Sequence, residues 1–65
     1  MKYDELPEVF GPKTLARFLG IGENVAYQLV NRGDFPSFRV GRLIKVTKAA
    51  LKQWLDEQVG VKNAG

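Results

Sequence analysis

The sequence predicts a mainly α fold, three helices plus a small two-stranded β-hairpin, and three observations carry that prediction. From Leu15 to Val30 apolar residues recur at helical spacing but are interrupted at Gly20-Ile21-Gly22, which divides them between two short helices. From Phe38 to Val46 the apolar pattern tightens toward that of strands, broken once at Gly41-Arg42. A last helical stripe, Ala50, Leu51, Trp54 and Leu55, follows immediately, and the surroundings of the hairpin are strongly basic.

The 65 residues suffice for one small domain and leave no room for a second core. The core should come from residues 9–58, with a flexible segment over 1–8 and a flexible tail over 59–65. Apolar residues make up 45% of the chain yet never run together long enough for a transmembrane helix or a secretory segment. A soluble, unprocessed, cytoplasmic protein with no membrane partner is expected. Without cysteine or histidine there are no thiolate or imidazole metal ligands, no disulfides and no usual nucleophile–base pair. Asp34, Asp56 and Glu57 are scattered over loop and helix-end positions, and Gly41-Arg42 lacks the spacing of a phosphate-cradling loop. No enzyme, metal, cofactor or small-molecule ligand is therefore expected.

The first helix should begin near Pro12, since proline suits a first helical turn and Gly11 can precede it as N-cap, and should stop at Gly20. Leu15, Ala16 and Leu19 give it a buried stripe. Ile21, apolar between two glycines, fits a plug between helices that cross steeply, which makes Gly20-Ile21-Gly22 the turn of a helix-turn-helix. The second helix should run from Glu23 to Arg32 with Gly33 at its C-terminal cap and Pro36 blocking continuation. At about 100° per residue Val25, Ala26, Leu29 and Val30 share one sector, while Asn24, Tyr27, Gln28 and Asn31 share the opposite one. Exposed helix faces are ordinarily rich in Glu and Lys, so an amide-rich face calls for another reason. Asn and Gln can pair bidentately with adenine in a major groove, and a tyrosine hydroxyl can bond a phosphate. An ordinary polar face is the plainer alternative.

For the hairpin, burial argues the register. A two-residue connection, Gly41-Arg42, would set Val40 against Leu43 and put Ile44 and Val46 on the opposite side of the sheet from Phe38 and Val40. A three-residue connection, Gly41-Arg42-Leu43, gathers Phe38, Val40, Ile44 and Val46 on one face and sends Arg39 and Lys45 to the other, with Arg42 at the tip. The latter is expected, and it yields a basic wing able to straddle phosphates or place an arginine in a minor groove. Thr47 is a good N-cap for a third helix, Lys48 to Gln58, whose Trp54 falls in register with Leu51 and Leu55 and so belongs to the core, as do Phe10, Phe18 and Phe35. Between residues 39 and 52 lie Arg39, Arg42, Lys45, Lys48 and Lys52 without an acid, so the formal net charge of +3 understates the local one. Lys13, Arg17, Lys48 and Lys52 are candidate phosphate contacts outside helix two and the wing.

Several stretches then look familiar: Leu15-Ala16-Arg17-Phe18-Leu19-Gly20-Ile21-Gly22, Val25-Ala26-Tyr27-Gln28-Leu29-Val30, Gly33-Asp34-Phe35-Pro36-Ser37-Phe38-Arg39-Val40-Gly41-Arg42, and Ala50-Leu51 with Trp54-Leu55. Together they resemble the excisionase family of small DNA-binding proteins, relatives of the MerR-type winged helix-turn-helix domain. The resemblance spans Phe10 to Leu55. It implies a bacterial or phage-encoded recombination directionality factor that binds several short double-stranded DNA sites beside the attachment site of a prophage or integrative element. Such a factor bends the DNA, self-associates cooperatively on it and contacts a tyrosine integrase to favour excision. The resemblance places recognition-helix positions at Glu23, Asn24, Tyr27, Gln28, Asn31 and Arg32, and wing positions at Arg39, Gly41, Arg42 and Lys45. Two departures stand out: Gly22 occupies a position often filled by serine, and Glu23 and Gln28 stand where basic residues are common, which leaves more of the phosphate affinity to the wing.

Two rival functions fit the same pattern. A small transcriptional regulator could bind a promoter through the same winged helix, although such regulators usually append a dimerising helix and an effector domain, for which 65 residues leave no room. A protein-interaction module could instead turn the basic surface toward an acidic partner, and a steep loss of affinity with salt on DNA would separate the two.

Overall fold

Val9–Phe10 (β1) is a strand of two residues that finds its partner at the far side of the hairpin, Val9 opposite Thr47 and Phe10 opposite Val46. In the computed structural model, which describes the backbone of residues 1–64 and the side chains of residues 1–59, this pairing gives the expected wing a third strand. Phe38–Val40 (β2) pairs antiparallel with Leu43–Thr47 (β3), and the order β1-β3-β2 puts β3 in the centre and β2 at an edge.

Pro12–Leu19 (α1) follows Gly11, with proline in the first turn as anticipated. It ends at Gly20, whose φ of 71° lies in the left-handed region that glycine enters without strain; the amides of Gly20 and Ile21 both return to the Ala16 carbonyl. Glu23–Val30 (α2) packs against α1 across that turn, with Ile21 half-buried. The second helix stops at Val30 rather than Arg32. Asn31 closes it by donating from its backbone N–H and from Nδ2 to the Tyr27 carbonyl, at 3.2 and 2.9 Å, so Gly33 does not serve as the cap. Lys48–Ala64 (α3) is capped by Thr47, whose Oγ1 accepts from the Ala50 amide at 3.1 Å. This helix continues past the expected Gln58, so residues 59 to 64 of the expected tail are helical, and Gly65 lies outside the described residues.

Leu15, Val46 and Leu51 are completely buried, with Leu6, Phe10, Val30 and Phe35 around them. Trp54 packs edge-on against Phe35 with centroids 4.9 Å apart, and Phe18 is half-buried at the margin. Leu6 was expected in a flexible segment, and the start of the chain instead wraps onto the core through a 3₁₀ turn, Tyr3–Glu5. The Tyr3 hydroxyl donates to the Lys48 carbonyl at 3.2 Å, its ring meets Phe18 edge-on, and the Lys48 ammonium sits 4.7 Å above it.

The hairpin register differs from the one predicted. Phe38 lies opposite Lys45, Arg39 opposite Ile44 and Val40 opposite Leu43, so the connection is the two-residue Gly41-Arg42. Gly41 has φ 61° and Arg42 does not have positive φ, the pattern of a II′ turn, whose twist suits adjacent strands. Phe38, Val40, Leu43 and Lys45 therefore share the outer face, while Arg39, Ile44 and Val46 share the inner one. Burial could not enforce the predicted register because β2, at the sheet edge, is exposed at all three residues. Phe38, Val40 and Leu43 are 42%, 56% and 59% exposed.

Replacing Leu6 by Ala should cost roughly 2–5 kcal/mol of stability, the range for truncating a buried leucine. Equilibrium urea unfolding checks this; a loss within about 0.5 kcal/mol, as at loose surface positions, would mean the leading segment does not pack.

Candidate nucleic-acid interface

Helix α2 presents Glu23, Asn24, Tyr27 and Gln28 to solvent while Ala26 and Val30 anchor it from behind. Glu23 occupies the first turn, where a carboxylate is favoured by the partial positive charge of the helix end. Tyr27 is 48% exposed and opens onto a concave surface shared with Lys13 and Thr14 of α1 and with Arg42, Leu43 and Lys45 of the wing. The two helices and the wing thus contribute to one groove. The first turn of α1 holds no acidic residue, so the positive end of its dipole adds to the three cations there.

The remaining predicted residues have other surroundings. Gly41 shapes the wing turn through its positive φ and places Arg42, exposed, at the tip. Arg39 donates from Nη2 to Asn31 Oδ1 at 3.2 Å, and Asn31 is the residue that closes α2. Arg32 pairs with Asp34 at 2.8 Å and Lys52 with Asp56 at 3.1 Å, both in solvent, where such pairs contribute little and can open. Lys48 is held against Tyr3, and Arg17 is exposed in the last turn of α1.

Val25, Thr14 and Leu43 were missed as surface candidates. The 3.6-residue period put Val25 in the buried sector, yet it is 51% exposed in the first turn of α2, beside the amide face. Thr14 could be suspected only from lying in the first turn of a helix whose start faces the wing, a relation no sequence spacing reveals. Among the described residues no helix is long and apolar enough to cross a membrane.

A helix exposing amides, a capped glycine turn before it and a sheet-edge hairpin after it reproduce the winged helix-turn-helix architecture. A family model described as a helix-turn-helix domain matches residues 9–59, most of the chain. The protein belongs to the helix-turn-helix domain family. That family is typical of excisionase-like DNA-binding proteins, and the domain indicates DNA binding. No curated protein and no solved structure matches the chain. The match begins at β1 and reaches past Trp54, so the short first strand, α1, α2, the wing and α3 as far as Val59 lie within the shared pattern.

Arg42→Ala should weaken binding to every DNA sequence and flatten the dependence of log K on log salt by about 0.9, the increment for one phosphate. Fluorescence anisotropy titrations at several salt concentrations test this; an unchanged slope would remove the wing tip from the interface.

Proposed function

We propose that the protein is an excisionase: a cytoplasmic, bacterial or phage-encoded architectural protein that binds repeated sites beside an attachment site, bends the DNA and assists a tyrosine integrase in excision. The observation that carries this reading is the groove in which Tyr27, on the exposed face of α2, meets Lys13, Arg42 and Lys45. In this reading Tyr27 bonds a phosphate in the groove, the wing cations hold the backbone alongside, and beyond it on the same helix Asn24 and Gln28 read base edges and Val25 meets a thymine methyl. Lys48 and Lys52 take a secondary part, because each already has a partner within the protein.

Repeated sites imply neighbouring copies, and the outer face of the wing is suited to meet them. Phe38, Val40 and Leu43 form an exposed apolar row beside Arg42 and Lys45. In free solution like charges at that end repel a second copy at separations below the screening length of about 10 Å at 0.1 M salt. Neutralisation by DNA phosphates removes the repulsion, so the row associates only on DNA. Val40→Ser should accordingly leave occupancy of a single site unchanged and lower cooperativity between adjacent sites, as read from a mobility-shift titration on one-site and two-site DNA. Equal cooperativity would detach the row from assembly.

The reading as a whole is tested by a mobility-shift titration on DNA spanning the element's attachment region and on unrelated DNA, at two salt concentrations. Stepwise bands confined to attachment DNA are expected. Specific binding at a promoter alone would make the protein a transcriptional regulator, and no binding at either salt would make its basic surface a protein-docking face. With Asn24→Ala or Gln28→Ala, discrimination between sites should fall by roughly 1–3 kcal/mol, the worth of a bidentate base contact; full discrimination in both variants would displace the reading surface from α2.

A further inference from the structure

Arg39 lies within a basic wing but differs from the other wing cations in direction and company. It sits opposite Ile44 and so shares the face of the ribbon that carries Ile44 and Val46, although it is itself exposed, whereas Lys45 lies on the other face and Arg42 at the turn. Its Nη2 donates to Asn31 Oδ1 at 3.2 Å. The orientation of that amide is set from the other side, because Asn31 Nδ2 donates to the Tyr27 carbonyl at 2.9 Å. Both polar atoms of one side chain are therefore in use, one closing the recognition helix and the other receiving the wing. Ser37, just before β2, grips the same helix end by donating from Oγ to the Val30 carbonyl at 3.0 Å.

We propose that Arg39 is a positioning residue that latches the wing to the C-terminal end of the recognition helix through Asn31, fixing the spacing between the two DNA-contacting elements, and does not itself neutralise a phosphate. The inference rests on the DNA-binding reading for its role, though not for the contact. Without this contact β2, the exposed edge strand, is tied to the end of α2 only by the Ser37 bond and the segment 31–37, which lets its far end and the turn pivot about β3. A pivoting wing still meets phosphates on any DNA. Simultaneous fit of helix and wing to one site is what it loses, so the latch acts on specific complexes more than on non-specific ones.

The test is a double-mutant cycle with Arg39→Ala, Asn31→Ala and both, read as affinity for specific and unrelated DNA across salt concentration, with thermal melts confirming that each variant is folded. Each single variant should lose about two- to tenfold in specific affinity, the worth of one hydrogen bond. The double variant should lose no more than the worse single one. Non-specific affinity and the salt slope of Arg39→Ala should stay near those of the wild type. Losses that multiply, together with a slope for Arg39→Ala lower by about 0.9, would make Arg39 an ordinary phosphate contact and overturn the latch. A second arm needs no DNA: in the free protein Arg39→Ala should shift the side-chain amide resonances of Asn31, and unmoved resonances would overturn the contact itself. A wild type that binds no DNA while those resonances do respond would instead overturn the DNA-binding reading and leave the contact standing.

Discussion

Leu15, Val46 and Leu51, one side chain each from α1, β3 and α3, are excluded from water within one core cluster, and β3 packs against both helices. Burying such side chains contributes about 1.5–3 kcal/mol apiece, a large share of the total for so small a chain. The orientation of Val46 is thus the least negotiable fact in the sheet. Because a strand alternates faces, Ile44 must follow it inward while Leu43 and Lys45 turn outward, and across the ladder Arg39 is carried inward with Phe38 and Val40 outward. The direction of every wing side chain is settled by a residue that touches no ligand.

The distribution of cations follows from the same geometry. Lys13, Arg42 and Lys45 line one groove, which runs between the start of α1 and the part of the central strand next to the turn. Lys48 belongs to the same basic run in sequence, yet it begins α3 on the side where the chain's first residues pack, and the Tyr3 ring lies beneath it. Charge density along a sequence and charge density over a surface are different quantities, and here the second selects part of the first.

The elements readable from the sequence were those whose reasons are local. Gly20 and Thr47 announce helix boundaries through their own backbone and side-chain preferences, and the stripe from Ala50 to Leu55 identifies α3 from its spacing alone. Asn31 was legible as polar but not as a cap, because its claim on the Tyr27 carbonyl competes with continued helix and depends on geometry. β1 could not be foreseen: two residues carry no period, and the pairing with Val46 and Thr47 is created by the fold. The wing register failed for an instructive reason. Counting apolar residues assumes that each has something to cover it, and the small core reaches β3 but leaves β2 exposed. The turn, with Gly41 at φ 61°, decided what burial could not. At the site, the amide face of α2 was visible from spacing, while Thr14 and Leu43 became visible only when the groove assembled.

The two-residue turn also limits how the wing can vary. Its Gly41-Arg42 connection leaves no slack, and the inward setting of Val46 holds one end of the ladder fixed. Adding a single residue would either open the turn or exchange the two faces of the ribbon beyond it. Growth of the wing while its pairing is preserved is therefore restricted to matched insertions, one residue in each strand, and keeping the same faces requires these to come in twos, about 7 Å of reach at a time. Changes in DNA preference within this architecture would be expected to accumulate as side-chain exchanges on a wing of constant length, with length itself changing in discrete jumps.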